Sequence, residues 1–317
     1  MADRIYRSNT NSQKGEKMAF RTLEITQPTE IHVRRGQLML KQEDCEVSVP
    51  LEDLATIICN GPNIRLSTMA LSQIADHSIS FMVIDNRYSP AGVFTPQVAN
   101  VRQSDTLYLQ LEMEKTQKDY LWKRIIYAKI ENQSRALGIL GIDGASQVSA
   151  FLKDLKTGAI DPTEASAAKK YFQFLHPGLN RRNDDPFNSC LNYGYAVLRN
   201  AIIRSLLTSG FLPALGIHHS NHLNPYNLAD DMIEPWRPMV DLIAYGCVSS
   251  SPILSKKQRR ELAMVLHQAC HIGNKEVSVL NGIDVMISSL HRSISQQKNL
   301  LQLPTILPTK ELPLINE

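Results

Sequence analysis

The hydrophobic period of this chain changes once, near residue 98, and that switch limits the fold more than any motif does. Residues 20–100 hold short alternating or β-branched runs: RTLEI, EIHVRR, GQLMLKQ, CEVSVPL, ATIICN, SISFMVID and AGVFTP. These read as strands, with RRG and KQED as turns. LSTMALSQIADHS, between ATIICN and SISFMVID, reads as a crossover helix, giving a strand–helix–strand unit near the end of the segment. After Val98 the β signal stops. Apolar residues then recur at helical spacing (Leu107, Leu111, Tyr120, Leu121, Ile125, Ile126, Ile130), and helices dominate to about Gln297. The expected fold is α+β: a small N-terminal mainly β domain over 18–96, a linker over 97–104, and a larger all-α domain over 105–300. Residues 1–17 are polar and read as a disordered extension, and the proline-punctuated residues 301–317 as an extended tail. No internal repeat is present.

Composition narrows the class. A chain of 317 residues is long enough for two domains and an ample core. No apolar run reaches membrane-span length and no signal-peptide core opens the chain, so a cytoplasmic protein with no membrane partner is expected. Cys45, Cys59, Cys190, Cys247 and Cys270 are scattered with no C-x-x-C pair, which points to reduced thiols rather than a disulfide frame or a zinc site. A net charge of +3 is too mild for a polycation, so any nucleic-acid surface must come from local clustering. In the β-rich segment His32 and His77 stand isolated, and nothing there suggests chemistry.

Residues 216–240, GIHHSNHLNPYNLADDMIEPWRPMV, concentrate three histidines, three carboxylates and an arginine at a loop-to-helix junction. On a helical turn ended by Pro235, Asp231 and Glu234 are i,i+3 and Asp230 and Glu234 are i,i+4, so an acid pair is expected to share a face. Two adjacent carboxylates repel unless a cation or a proton lies between them. The same residues also describe a solvated acidic helix with Arg237 as its ion-pair partner. Upstream, GAIDPTEASAAKKYFQFL places Asp161 as a helix cap, Pro162 at the first position and Glu164 in the first turn, where the helix dipole alone favours an acid.

Together the segments around Glu164 (TEASAAKKYF), His219 (GIHHSNHLNPYNLADD) and Glu234 (DDMIEPWRPMVD) resemble the metal-ligand motifs of the CRISPR-associated integrase. This family is the metal-dependent nuclease of spacer acquisition, and the likeness is to the form that accompanies type II systems. PFNSCLNYGYAVLRNAI resembles the family's Asn-rich helix, with Asn188, Asn192, Tyr193 and Tyr195 at familiar spacing, and residues 51–85 resemble its N-terminal sheet segment. The resemblance covers about residues 18–300; the residues before Met18 have no recognised counterpart.

The resemblance implies that Glu164, His219 and Glu234 are catalytic metal ligands, with His219 preferred to His218 and His222 because it precedes the SNHLNPYN loop. Two glutamates and an imidazole suit Mg²⁺ or Mn²⁺ rather than structural zinc. Asp231 or Asp230 is expected to orient His219 or a bound water. Asn188 and Asn192 are candidates for backbone or phosphate hydrogen bonds, or for helix packing, and Tyr171 for reaching a DNA end or for core packing. Candidate DNA cations are Lys169, Lys170, Arg181, Arg182, Arg199, Arg204, Lys256, Lys257, Arg259 and Arg260, with Arg237 pairing an acid or a phosphate. SKKQRREL is equally a solvated helix start.

The implied activity inserts prespacer DNA into a CRISPR repeat by attack of a 3′-OH on a phosphodiester. Implied partners are double-stranded DNA, a second copy of the chain, a small ferredoxin-like adaptation partner dimer, and the type II accessory ring protein and effector nuclease. Two other classes fit the residues: a hydrolytic metal-dependent nuclease acting on branched DNA, and a non-catalytic DNA-bridging scaffold.

Overall fold

The computed structural model describes residues 4–6, 21–85, 90–94, 103–157, 159–180 and 185–309. The chain is α+β and divides into two compact units, residues 1–101 with 312–317, and residues 102–311.

The first unit is built on two sheets. One has the order β1-β2-β6-β8-β9, from β1 (Arg4–Tyr6), β2 (Arg21–Ile25), β6 (Leu54–Cys59), β8 (Ser80–Ile84) and β9 (Pro90–Phe94). The other has the order β5-β4-β3-β7, from β3 (Glu30–Arg34), β4 (Gln37–Lys41), β5 (Glu46–Pro50) and β7 (Arg65–Leu66). β6 runs parallel to both neighbours, and every residue of its LATIIC run is buried, as a central parallel strand requires. The crossover that makes β6 and β8 parallel contains α1 (Thr68–Asp76), capped by the Ser67 side chain, which accepts from Ala70 N at 3.1 Å. The RRG turn closes β3 and β4 with Arg35 at φ 52° and Gly36 at φ 73°, the two left-handed residues of a tight hairpin. Leu23, Ile31, Leu38, Ile57, Ile74 and Phe81 belong to one core cluster.

Residues 4–6 fall in the stretch expected to be a structureless extension; instead Arg4–Tyr6 pairs antiparallel with β2. The rest of 1–17, and residues 97–102 of the expected linker, lie outside the described residues.

The second unit contains α2 (Gln103–Leu111), α3 (Lys115–Leu140), α4 (Ala145–Thr157), α5 (Ile160–Leu175), α6 (Pro186–Thr208), α7 (Asn227–Met232), α8 (Arg237–Cys247), α9 (Lys256–Ala263) and α10 (Val279–Ser295). α6 is central: Asp185 caps it, with Oδ1 accepting from Phe187 N at 2.7 Å, Pro186 occupies its first turn, and most of its residues are buried. Gly194 on α6 leaves no room for a Cβ against Val240 of α8, so these helices approach closely.

The expected all-α character needs correction. β10 (Ala269–Ile272), β11 (Lys275–Ser278) and β12 (Pro304–Ile306) form a three-stranded antiparallel sheet of order β11-β10-β12. β10 and β11 turn at Gly273 (φ 59°), and part of the expected tail supplies β12. Asn132 of α3 fixes that strand by donating to Pro304 O (3.0 Å) and accepting from Ile306 N (3.2 Å). Among the described residues no helix is long and apolar enough to cross a membrane.

Candidate active site

α3 presents Trp122, Lys129 and Gln133 on one buried stripe, seven and four residues apart. Lys129 stands where the period calls for an apolar residue, and its side chain is 10% exposed. A buried ammonium must be paired. Lys129 Nζ contacts Glu164 Oε1 from α5 and lies 2.5 Å from Glu234 Oε2. Glu234 begins the 3-10 turn Glu234–Trp236 that links α7 to α8, and its Oε1 accepts from Arg237 Nε at 2.9 Å. Pro235 and Pro238 remove two backbone donors here, and Asn132 Nδ2 holds Pro235 O at 2.8 Å. Burial alone would raise the Glu234 carboxyl, but the charges of Arg237 and Lys129 outweigh it and hold the group down at about 2.

The acids of LADDMIE take separate partners. Asp230 turns to Arg199, with Oδ1 and Oδ2 each 2.8 Å from a guanidinium nitrogen, and accepts from Asn224 Nδ2 at 2.6 Å. Asp231 turns the other way and is fully buried. It accepts the backbone N–H groups of Ile217 (2.6 Å), His218 (3.0 Å) and His219 (3.1 Å), and lies 2.6 Å from His219 Nδ1. One carboxylate therefore folds the loop and orients the imidazole, leaving Nε2 as the ring's acceptor. The hydrogen bond to Asp231 raises the His219 pKa above its ordinary value. Gly216 is required in this loop, because a Cβ there would overlap the His219 carbonyl and crowd Asp231.

His218 stacks on Trp122 with ring centroids 4.2 Å apart and planes 3° from parallel. Asp161 ties the pair: Oδ1 accepts from Trp122 Nε1 at 3.2 Å and lies 3.4 Å from His218 Nε2. Asp161 is thus not the cap expected of it; α5 begins at Ile160. His219 meets Trp122 edge-on at 5.8 Å, while His222 is exposed on the loop.

Two clefts flank these groups. One of about 420 Å³ is lined by Asn192, Tyr195, Arg199, His219, Asp230 and Arg237 among others. The second, about 260 Å³, is lined by Lys129, Gln133, Tyr195, Glu234, Arg237 and Asp241 among others. Arg237 stacks over the Tyr195 ring at 4.6 Å, and buried Asp241 accepts from the hydroxyls of Tyr195 and Tyr171.

Several predicted residues have other work. Tyr171 is fully buried and donates to Asp241 Oδ2 at 2.9 Å, so it does not reach toward a DNA end. Asn188 is buried and donates to Asn180 O at 2.7 Å, a backbone tie before α6. Arg259 is buried and donates to Leu254 O, which removes it from the basic surface of α9, because its position falls on the inner face. Lys256 and Lys257 are exposed and Arg260 is half-buried. Lys169 is exposed, Lys170 lies 5.0 Å from the Phe174 ring, and Arg204 faces Asp284 at 3.8 Å. Arg181 and Arg182 lie outside the described residues. Sequence reasoning misses Lys129, Trp122, Gln133 and Asp241, and the tie that Asp161 makes. The available signal is Lys129 itself, a cation among Ile125, Ile126 and Ile130 on the buried face of a helix.

The donor set agrees with a divalent cation: two carboxylates, and an imidazole whose other nitrogen is fixed by a buried acid. Glu234 Oε2 is buried and faces the Lys129 ammonium at 2.5 Å, so the position between the two glutamates already takes positive charge. The cation between the glutamates is the Lys129 ammonium, and among the described residues no three His, Cys, Asp or Glu side chains gather closely enough to hold an ion.

Comparison with known proteins identifies the family. A family model described as CRISPR associated protein Cas1 matches residues 23–270. The CRISPR-associated endonuclease Cas1 of Neisseria meningitidis serogroup C (strain 8013) is 36% identical over 300 residues, covering 93% of this chain and 99% of the relative. Two solved structures share the fold at 18% identity and a TM-score of 0.72. A casposase bound to integration product is covered over 96% of its chain and 93% of this one. A chain of a Cas6-RT-Cas1–Cas2 complex is covered over 37% of its length and 94% of this one. A family match over most of the sequence, and a relative this similar from end to end, establish that this chain belongs to the Cas1 family of CRISPR-associated proteins.

Proposed function

We propose that this chain is a metal-dependent DNA endonuclease and integrase that inserts prespacer DNA into a CRISPR array. The single observation that carries the reading is the meeting of Glu164 and Glu234, from separate elements, on the buried Lys129 ammonium, with the His219 imidazole oriented by Asp231. Two relatives support it: the Neisseria protein is named an endonuclease, and the casposase is bound to integration product.

Glu164, His219 and Glu234 would hold Mg²⁺ or Mn²⁺, which when bound supplies Lewis-acid charge at a phosphodiester. The chain's own groups do the rest. Asp231 keeps the His219 proton on Nδ1, so Nε2 presents a lone pair. Arg237 restrains Glu234 and is itself restrained by the Tyr195 ring. In the reaction the 3′ oxygen of a prespacer strand forms a bond to phosphorus at a repeat boundary. The bond from phosphorus to the 3′ oxygen of the DNA flanking the repeat on that strand breaks, and the proton lost by the attacking hydroxyl is matched by one gained by the leaving oxygen. One phosphodiester replaces another, so no nucleotide energy source is consumed. Lys169, Lys256 and Lys257 supply exposed charge for duplex phosphates.

The first unit, with its mainly β character, would serve dimerisation, and the second would be the catalytic domain. The partners that go with this reading are double-stranded prespacer and repeat DNA, a second copy of the chain, and a small ferredoxin-like adaptation protein dimer. The type II accessory ring protein and effector nuclease join them, in the bacterial cytoplasm. The fold shared with a chain of a Cas6-RT-Cas1–Cas2 complex supports the adaptation partner.

A half-site integration assay decides the reaction. A labelled duplex with a free 3′-OH should become joined to repeat DNA, and one with a blocked 3′ end should not. Equal cleavage of the repeat with both would leave a hydrolytic nuclease, and no reaction with either a DNA-bridging scaffold.

A further inference from the structure

Charge, geometry and an unused acceptor converge at Lys129. Its ammonium contacts Glu164 Oε1 and lies 2.5 Å from Glu234 Oε2, while Arg237 holds the other oxygen of Glu234. Two carboxylates are thus balanced by two cations. A divalent ion added to that set would leave two surplus positive charges in a largely buried site, which is unfavourable at low dielectric. It would also need the carboxylate oxygens that the ammonium now holds. Withdrawing one ammonium eases both conflicts.

The structure offers the side chain somewhere to go. Gln133, one turn along α3 and on the same face, is buried, and its Oε1 has no hydrogen-bond partner. An unsatisfied buried acceptor is costly and calls for an explanation. Lys129 and Gln133 line the same cavity of about 260 Å³, with Glu234 and Asp241 also on its wall. A four-carbon stem can rotate within that space without moving the helix.

We propose that Lys129 is an exchangeable counter-ion with two positions: between Glu164 and Glu234 in the metal-free protein, and at Gln133 Oε1 once a divalent cation has taken the carboxylates. The inference rests on the reading of Glu164 and Glu234 as metal ligands. Lys129 then opposes ion binding and Gln133 favours it, and both are positioning residues. In the metal-free state the lysine also keeps two acids from repelling each other.

The test is Mn²⁺ binding by calorimetry on the full chain without DNA. Lys129→Met keeps the stem and removes the charge, and should bind Mn²⁺ about tenfold more tightly, a gain of about 1.4 kcal/mol. Gln133→Met should bind severalfold more weakly, because the displaced ammonium loses its acceptor. In the Lys129→Met background the Gln133 change should have no effect, so the two are coupled. Affinity that is unchanged or weakened in Lys129→Met overturns the proposal. If that variant does not fold, unchanged affinity in Gln133→Met overturns it instead. Glu234→Gln separates the two ideas: if it binds Mn²⁺ as the unaltered protein does, the ligand reading fails; if it loses binding while Lys129→Met gains none, only the counter-ion role fails.

Discussion

His219 Nδ1 lies 2.6 Å from Asp231 Oδ1, and the same buried carboxylate accepts the backbone N–H groups of residues 217 to 219. Ring orientation and loop conformation therefore depend on one side chain. Asp231→Asn preserves shape but sets an NH₂ against donors and removes the charge that holds the proton on Nδ1. We expect a loss of about 2 kcal/mol in urea unfolding. We also expect strand transfer and Mn²⁺ affinity to fall about 10–100-fold. Unaltered affinity with a normal fold would separate Asp231 from the site.

Glu164→Ala, His219→Ala and Glu234→Ala should each reduce strand transfer by at least about two orders of magnitude, since each removes a ligand of the ion that activates the phosphodiester. DNA affinity, measured by anisotropy at fixed salt, should change little, because exposed lysines supply most of it. Glu234→Ala carries a further expectation: it leaves Lys129 and Arg237 with one fewer acid between them, so it should also unfold at lower urea than Glu164→Ala does. Full activity in any one of the three would exclude that residue.

The sheet strands and the long helices were legible because each has a clear period, and the hairpin turn because Arg35–Gly36 supplies the positive φ that β3 and β4 need. The short strands of the second unit were not. β10, β11 and β12 have four, four and three residues, too few to establish alternation among helices. Around the site, residue types were legible but partners were not. Helical spacing suggested that at least one pair among Asp230, Asp231 and Glu234 shares a face, whereas their partners are Arg199, His219 and Lys129 respectively. Such choices depend on chain segments far away in sequence, as with Lys129 and Glu234. Arg259 shows the same limit: within a basic run, only the facing of α9 distinguishes a buried guanidinium from an exposed one.

That distinction gives a prediction about salt. Lys256 and Lys257 are exposed at the start of α9, and Lys257 lies 3.7 Å from Glu261 in a weak surface pair. Replacing either with Ala should lower the slope of log K against log salt by up to about 0.9 on duplex DNA for each phosphate no longer neutralised. Arg259→Ala should leave the slope unchanged and lower stability, because it removes the donor to Leu254 O from a buried place. A slope that changes for Arg259 and for neither lysine would move the DNA path off this helix start.

Acid stability should depend on a histidine remote from the ligands in sequence. His267, in the 3-10 turn Met264–His267, is buried, its Nε2 has no hydrogen-bond partner, and burial lowers its pKa from the ordinary 6.5 to about 4. The unfolded chain takes up this proton near pH 6.5, and the folded protein not until about pH 4. Between those values the unfolded state binds more protons, so stability must fall as pH falls, by about 3 kcal/mol across the window. Glu234 contributes with the opposite starting condition: its depressed carboxyl stabilises the fold above about pH 4.5, and that support is lost only as pH falls toward about 2. The two are therefore separable along the pH axis. Urea midpoints of His267→Leu should flatten between pH 6.5 and pH 4 while keeping the fall below pH 4. A slope equal to that of the unaltered protein in the upper window would mean that another group takes up the proton there.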